Sequence, residues 1–191
     1  PHAHPQGCPA HRHLRNADPM SPSLEDDILG ALAHVDGDSP ADSIDALKAL
    51  SEAHPGHVDI ADAWASLGDS PPARGPFGVA VLQALVPIAR DWPEPRGRST
   101  MMMALAELEL THREATWAAH WIRKAIASDP SDVRPWDLLE LMLDAHPGLP
   151  VGRATRQALV ELRKAQGELP VNDEDFAGET FDEWDEPAPP A

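Results

Sequence analysis

DIADAWASLGDS, residues 59–70, is an acidic, alanine-rich segment in which a Trp is followed three positions on by a Leu and then by a Gly. At that spacing Trp64, Leu67 and Gly68 share one side of a helix. Taken alone, they are the core residues of a single helix. Taken as one line of a repeat, they are the large, the apolar and the small residue where paired helices touch. The second reading makes the chain a stack of hairpins, and it requires the same pattern elsewhere.

Helical signals fill the chain on both sides. Ser21-Pro22 has the form of an N-cap followed by Pro at the first helical position, opening a helix over about 23–35 with Leu24, Ile28, Leu29 and Leu32 on one face. GDSP at 37–40 is a turn, and Ser39, Pro40 and Asp42 have capping-box-like spacing. The helix that follows, about 40–53, aligns Ile44, Leu47 and Leu50 and stops at His54-Pro55-Gly56. The opening stretch belongs to a third helix, about 58–68, and DSPPARGP at 69–76 reads as a loop. A fourth helix, about 77–91, contains Pro87, which is expected to kink it or end it early. After the loop DWPEPRGRS, a fifth helix spans about 99–110. Thr111 and Glu114 then have capping-box spacing for a sixth over about 112–128. A seventh, about 132–145, stops at His146-Pro147-Gly148, and an eighth, about 151–166, turns Ala154, Ala158, Leu159 and Leu162 inward. No alternating β-branched run suggests a strand. The expected class is all-α, with eight helices in four hairpins.

The repeat is clearest over residues 99–132. Met102, Leu105 and Ala106 take the first-helix positions of a 34-residue unit; Ala118, Ile122 and Ala125 take the second-helix positions; Pro130 ends it. Trp136 and Leu139 restart the pattern in phase, while Trp64-x-x-Leu67-Gly68 supplies the same line earlier. Ala80 falls where a second helix wants a small residue, Pro93 is one position late, and residues 24–55 keep only the general form. On these residues the chain resembles the tetratricopeptide-repeat (TPR) family over about 24–166. The resemblance implies a TPR-like α-solenoid whose concave groove binds a peptide or helix of another protein, in scaffolds, assembly factors or chaperones without catalysis. The family's clamp for a C-terminal carboxylate needs Lys, Asn and Arg on first helices. The two Asn residues, Asn16 and Asn172, lie outside the repeats, so that clamp is not expected. The competing expectation is a nonrepetitive bundle of alanine-rich helices.

Charge narrows the partners. The net charge is −17, unevenly spread. Residues 18–70 hold twelve acids against one Lys, residues 71–167 hold eleven acids and twelve bases, and residues 168–191 hold nine acids and no base. This balance argues against nucleic acid and against an anionic membrane surface. The longest apolar run, VAVLQALVPIA at 79–89, is too short to span a bilayer. Few Lys, no Tyr and many Ala, Arg and Pro suggest a GC-rich bacterial gene. A single Cys fits a reducing compartment. The chain begins with Pro, so an initiator Met or a leader is expected to have been removed; the cytoplasm is favoured, and the periplasm is open if a leader was cleaved.

Residues 1–23 read as an extended His/Pro-rich arm and 167–191 as a disordered acidic tail, flanking the repeat domain at 24–166. The arm carries His2, His4, Cys8, His11 and His13, donors that suit zinc, copper or iron. Cys8-Pro9 also matches the short motif of heme-regulated proteins, so a metal- or heme-handling accessory protein is the alternative function. The bland reading of the arm is a leader that docks along a partner or its own scaffold. No nucleophile elbow, phosphate loop, zinc-protease or dinucleotide motif is present, and no catalysis is expected. For partner binding the candidates are Trp117, Trp121 and Trp136 with Arg123, Lys124, Arg153 and Arg156. In a repeat such a Trp stripe is more often core than binding site, and an exposed part of it would anchor a guest in the groove; the bases are either a solvated helix surface or an acceptor for acidic peptides. Phe176, Phe181 and Trp184 punctuate the acidic tail, which reads either as a solubilising segment or as a linear motif that folds back on the basic rear helices or on a neighbouring copy. The reading at this level is a non-catalytic protein-interaction scaffold or accessory subunit with no resident cofactor.

Overall fold

The computed structural model describes residues 23–35, 39–112 and 115–166. Among the described residues the chain forms eight α-helices and no strand, as the all-α expectation required. They are α1 (Leu24–Ala33), α2 (Pro40–Ala53), α3 (Val58–Asp69), α4 (Pro76–Asp91), α5 (Pro95–Thr111), α6 (Ala115–Ser128), α7 (Arg134–Ala145) and α8 (Arg153–Gln166), with a 3₁₀ turn at Pro71–Arg74 inside the segment read as a loop. No described helix is long and apolar enough to cross a membrane.

The ends of the helices follow local chemistry, not always at the expected residues. Ser23, rather than Ser21, caps α1: its hydroxyl accepts from the Asp26 N–H, and the Asp26 carboxylate accepts from the Ser23 N–H. Pro40 does open α2, but the Ser39 side chain makes no capping bond. α5 begins four residues before its expected start. The Glu94 carboxylate caps it by accepting from the Arg96 and Gly97 N–H groups, and Pro95 takes the first helical position, where its missing N–H costs nothing. Thr111 is the last residue of α5 instead of a cap for α6; its hydroxyl donates to the Glu107 carbonyl. Both His-Pro-Gly stops hold. His54 and His146 close α2 and α7 with backbone N–H bonds to Leu50 and Met142, and Gly56 adopts φ +85°, a conformation that favours glycine. Pro87 does not end α4, which runs on to Asp91. The carbonyl freed by Pro87 belongs to Gln83, and both residues are exposed, so that carbonyl lies on the solvent side of the helix.

α5 is the central element. It packs chiefly against α3 and α6 and also meets α4 and α7. Contact on several sides explains why Met101, Met102, Ala104, Leu105, Ala106 and Leu108 are all buried and why no clean polar stripe runs along it. Where α3 crosses α5, a Cβ on Gly68 would lie 3.3 Å from Leu108 Cδ1 and 3.8 Å from Ala104 Cβ, so the small residue sets the approach of the two helices. Trp64 and Leu67 are fully buried beside it. The Trp64 indole N–H donates to Ser51 Oγ at 3.0 Å, and Ser51 donates in turn to the Leu47 carbonyl at 2.7 Å, which fastens α3 to α2. Every substantial interhelix contact joins elements one or two places apart along the chain.

Four residues expected at packing positions are exposed. Leu29 on α1 is 60% exposed. Ala80 on α4 is exposed. On α8, Ala154 and Ala158 face solvent while Leu159, Val160 and Arg163 are buried. The inward turn of Arg163 has a cause outside its own helix: its guanidinium bonds Asp137 Oδ1 at 2.8 Å and Glu140 Oε2 at 2.6 Å on α7. Two carboxylates offset its desolvation, and the helix rotates to deliver it.

Candidate functional site

One face of α3, one of α5 and one of α7 line a groove of about 450 Å³. α3 contributes Asp62, Ala65 and Ser66; α5 contributes Thr100, Met103, Ala104 and Glu107; α7 contributes Arg134 and Leu138. Counted from the first in each helix, these residues fall at i, i+3, i+4 and i+7, the positions of a single helical face. The contributors are alternate helices along the chain. Small residues keep the floor open, and Met103 and Leu138 offer half-buried apolar surface.

The groove is negatively charged. Arg134 is committed to Asp132: its Nε lies 2.9 and 3.0 Å from the two carboxylate oxygens and its Nη2 lies 2.6 Å from Oδ2, while Nη2 also donates to Thr100 Oγ1 at 3.2 Å. Burial alone would raise the Asp132 carboxyl, but the hydrogen bonds and charge of Arg134 outweigh it and hold the group below its ordinary value. Arg134 is raised by the same bonds, with the charges of Asp132 and Asp62 assisting. Glu107 has no such partner among the described residues. Desolvation, followed by the charge of Asp69, pushes its carboxyl above the usual range. With Arg134 neutralised, Asp62 and Glu107 set the sign of the site.

The Glu107 shift has a measurable consequence. The folded chain holds this proton to higher pH than the unfolded chain does. Unfolding therefore releases it, and stability falls as pH rises from the ordinary carboxyl value through the raised folded value. The penalty is complete above that window and absent below it. Glu107→Gln should raise the melting temperature relative to the parent at pH 7 and leave it unchanged at pH 3. A gain that persists at pH 3, or a loss at pH 7, contradicts the assignment.

None of the expected partner-binding residues lines this groove. Trp121 is only 2% exposed and belongs to the core. Trp117 stacks on it with centroids 6.2 Å apart, His120 meets both edge-on, and Arg90 of α4 sits 5.6 Å from the Trp121 ring centroid. Trp136 is half-buried against the core. Arg123 and Lys124 are exposed on α6, and Arg153 is exposed on α8. Arg156 donates to the Pro147 and Leu149 carbonyls at 3.0 and 2.8 Å, holding α8 to the preceding turn. His2, His4, Cys8, His11 and His13, and likewise Phe176, Phe181 and Trp184, lie outside the described residues. Among the described residues no three His, Cys, Asp or Glu side chains converge as a metal site would require.

The groove residues do not stand out in the sequence, where aromatic and basic side chains carry the stronger chemical signal. The available signal was quieter: small, polar and acidic residues at helical spacing on every second helix from α3 to α7. No protein-family model, curated protein or solved structure matches the chain.

Proposed function

We propose that this chain is a non-catalytic, TPR-like scaffold, an accessory or assembly subunit that holds a segment of a partner protein in the groove between α3, α5 and α7. The single observation that carries this reading is the source of the groove: alternate helices, each giving one face. Helical hairpins stacked in sequence bring their first helices side by side and leave that face concave. Substantial contacts among the described helices join only elements one or two places apart, which supports the stacked reading, because a closed bundle also packs distant helices together. Burial of Trp64, Leu67, Met102, Leu105, Ala118, Ile122, Ala125 and Leu139 at repeat positions supports it as well. The negative groove and the overall charge of −17 favour a protein guest over nucleic acid.

Peptide-library selection on the full chain tests the proposal. Selected peptides should bind the parent and lose at least about tenfold in affinity on Leu138→Glu, since the substitution buries a charge beneath an apolar contact. Arg123→Glu, on the opposite member of the hairpin, should leave their affinity unchanged. Peptides insensitive to Leu138→Glu, or a selection that enriches nothing, count against the groove as the binding site.

A further inference from the structure

The chain itself contains a segment of the opposite charge. Residues 11–15, HRHLR, carry Arg12 and Arg15 with an apolar Leu14 between them, and no acid occurs from residue 1 to residue 17. They lie ahead of Ser23, the cap of α1, and α1 packs against α3, which forms one wall of the groove. From Ser23 back to Arg12 is eleven residues, a reach of up to about 35–40 Å when extended. Two helix spacings, from α1 across α3 to α5, amount to roughly 16–20 Å. Length is therefore sufficient.

Charge selects this segment over the other end of the chain. Asp62 and Glu107 present carboxylates to the groove with no ion-pair partner among the described residues, and Arg134 is already taken by Asp132. A guest guanidinium would relieve the like-charge pressure on Glu107 from Asp69. Residues 168–191, with nine acids and no base, would be repelled by the same surface. Met103 and Leu138 supply apolar contact for a Leu carried between two Arg residues.

We infer that residues 11–15 of the N-terminal arm occupy the α3/α5/α7 groove of the same chain through Arg12 and Arg15, and that a partner segment must displace them. The inference rests on the groove reading proposed above and adds a regulator to it. An arm that fills the groove nine-tenths of the time lowers the apparent affinity for a partner peptide about tenfold.

Cys8 is the chain's single cysteine and lies four residues before Arg12, so it takes a nitroxide label without other changes to the full chain. At low ionic strength and low protein concentration, the label should broaden amide signals around Ser66, Met103 and Leu138. Asp62→Asn with Glu107→Gln should abolish that broadening, and so should Arg12→Glu with Arg15→Glu. The latter variant should also bind a groove-selected peptide about tenfold more tightly. Broadening that is absent, that centres on the basic α6 and α8 surfaces, or that survives the carboxylate substitutions overturns the inference. Broadening in a mixture of spin-labelled chain with separate isotope-labelled chain, in place of the single-chain sample, assigns the groove to a second copy and also overturns it. Peptide affinity measured on the same samples separates the claims. Groove-dependent peptide binding without arm broadening defeats only the arm; arm broadening without any groove-binding peptide defeats only the partner reading.

Discussion

Trp64→Ala is expected to cost about 3–5 kcal/mol of folding stability, read as a lower urea midpoint. The side chain is fully buried between α2, α3 and α5, where a void has little room to collapse. Its indole N–H also bonds Ser51, whose hydroxyl is fixed by the Leu47 carbonyl. Domains of this size have roughly 5–15 kcal/mol to lose, so the substitution removes a large share of the total. Trp64→Phe retains most of the volume and removes the hydrogen bond, and its cost should be nearer 1–2 kcal/mol. A loss below about 1 kcal/mol for Trp64→Ala contradicts a fully packed bridge from α3 to α2.

Substituting one glycine should do comparable damage, and another should do the reverse. A Cβ on Gly78 would fall inside the van der Waals shell of the Ala73 carbonyl oxygen and 2.6 Å from His112 Nε2. The carbonyl is backbone and cannot swing aside, so the turn at Pro71–Arg74 must separate from α4. Gly78→Ala is therefore expected to destabilise by about 2–3 kcal/mol, after the helix-propensity gain of Ala is deducted. The strain reaches further, because His112 closes the C-terminus of α5. Gly30, in the exposed middle of α1, has nothing within 4 Å of a built Cβ. Gly30→Ala should stabilise by roughly 0.5–1 kcal/mol. Thermal or urea melts of the pair check both signs, and equal effects at the two sites refute the described packing.

The helices were legible wherever the local signal was covalent or periodic. Pro at a first turn, His-Pro-Gly stops and apolar residues three or four apart placed α2 and α3 to within a residue. The misplaced start of α5 shows the limit. Glu94-Pro95 is a good cap followed by a good first residue, but the surrounding Pro, Gly and Arg residues resemble a loop until tertiary packing buries Gly97 and Ser99. The rotation of α8 could not be read from its own sequence, because it is set by two carboxylates on α7. The same reason hid the groove. Asp62, Glu107 and Leu138 are unremarkable residues on three separate helices, and only the side-by-side placement of those helices makes them one site. Trp117 and Trp121 drew attention by their chemistry, whereas packing takes Trp121 into the core.

The most direct test places a photoreactive phenylalanine analogue in the full chain at Ser66, inside the groove, and separately at Ala80, exposed on α4. With a library-selected peptide present, a hairpin stack that holds its guest between alternate helices predicts cross-linking from position 66 and none from position 80. Equal cross-linking from both positions, or cross-linking from position 80 alone, contradicts it.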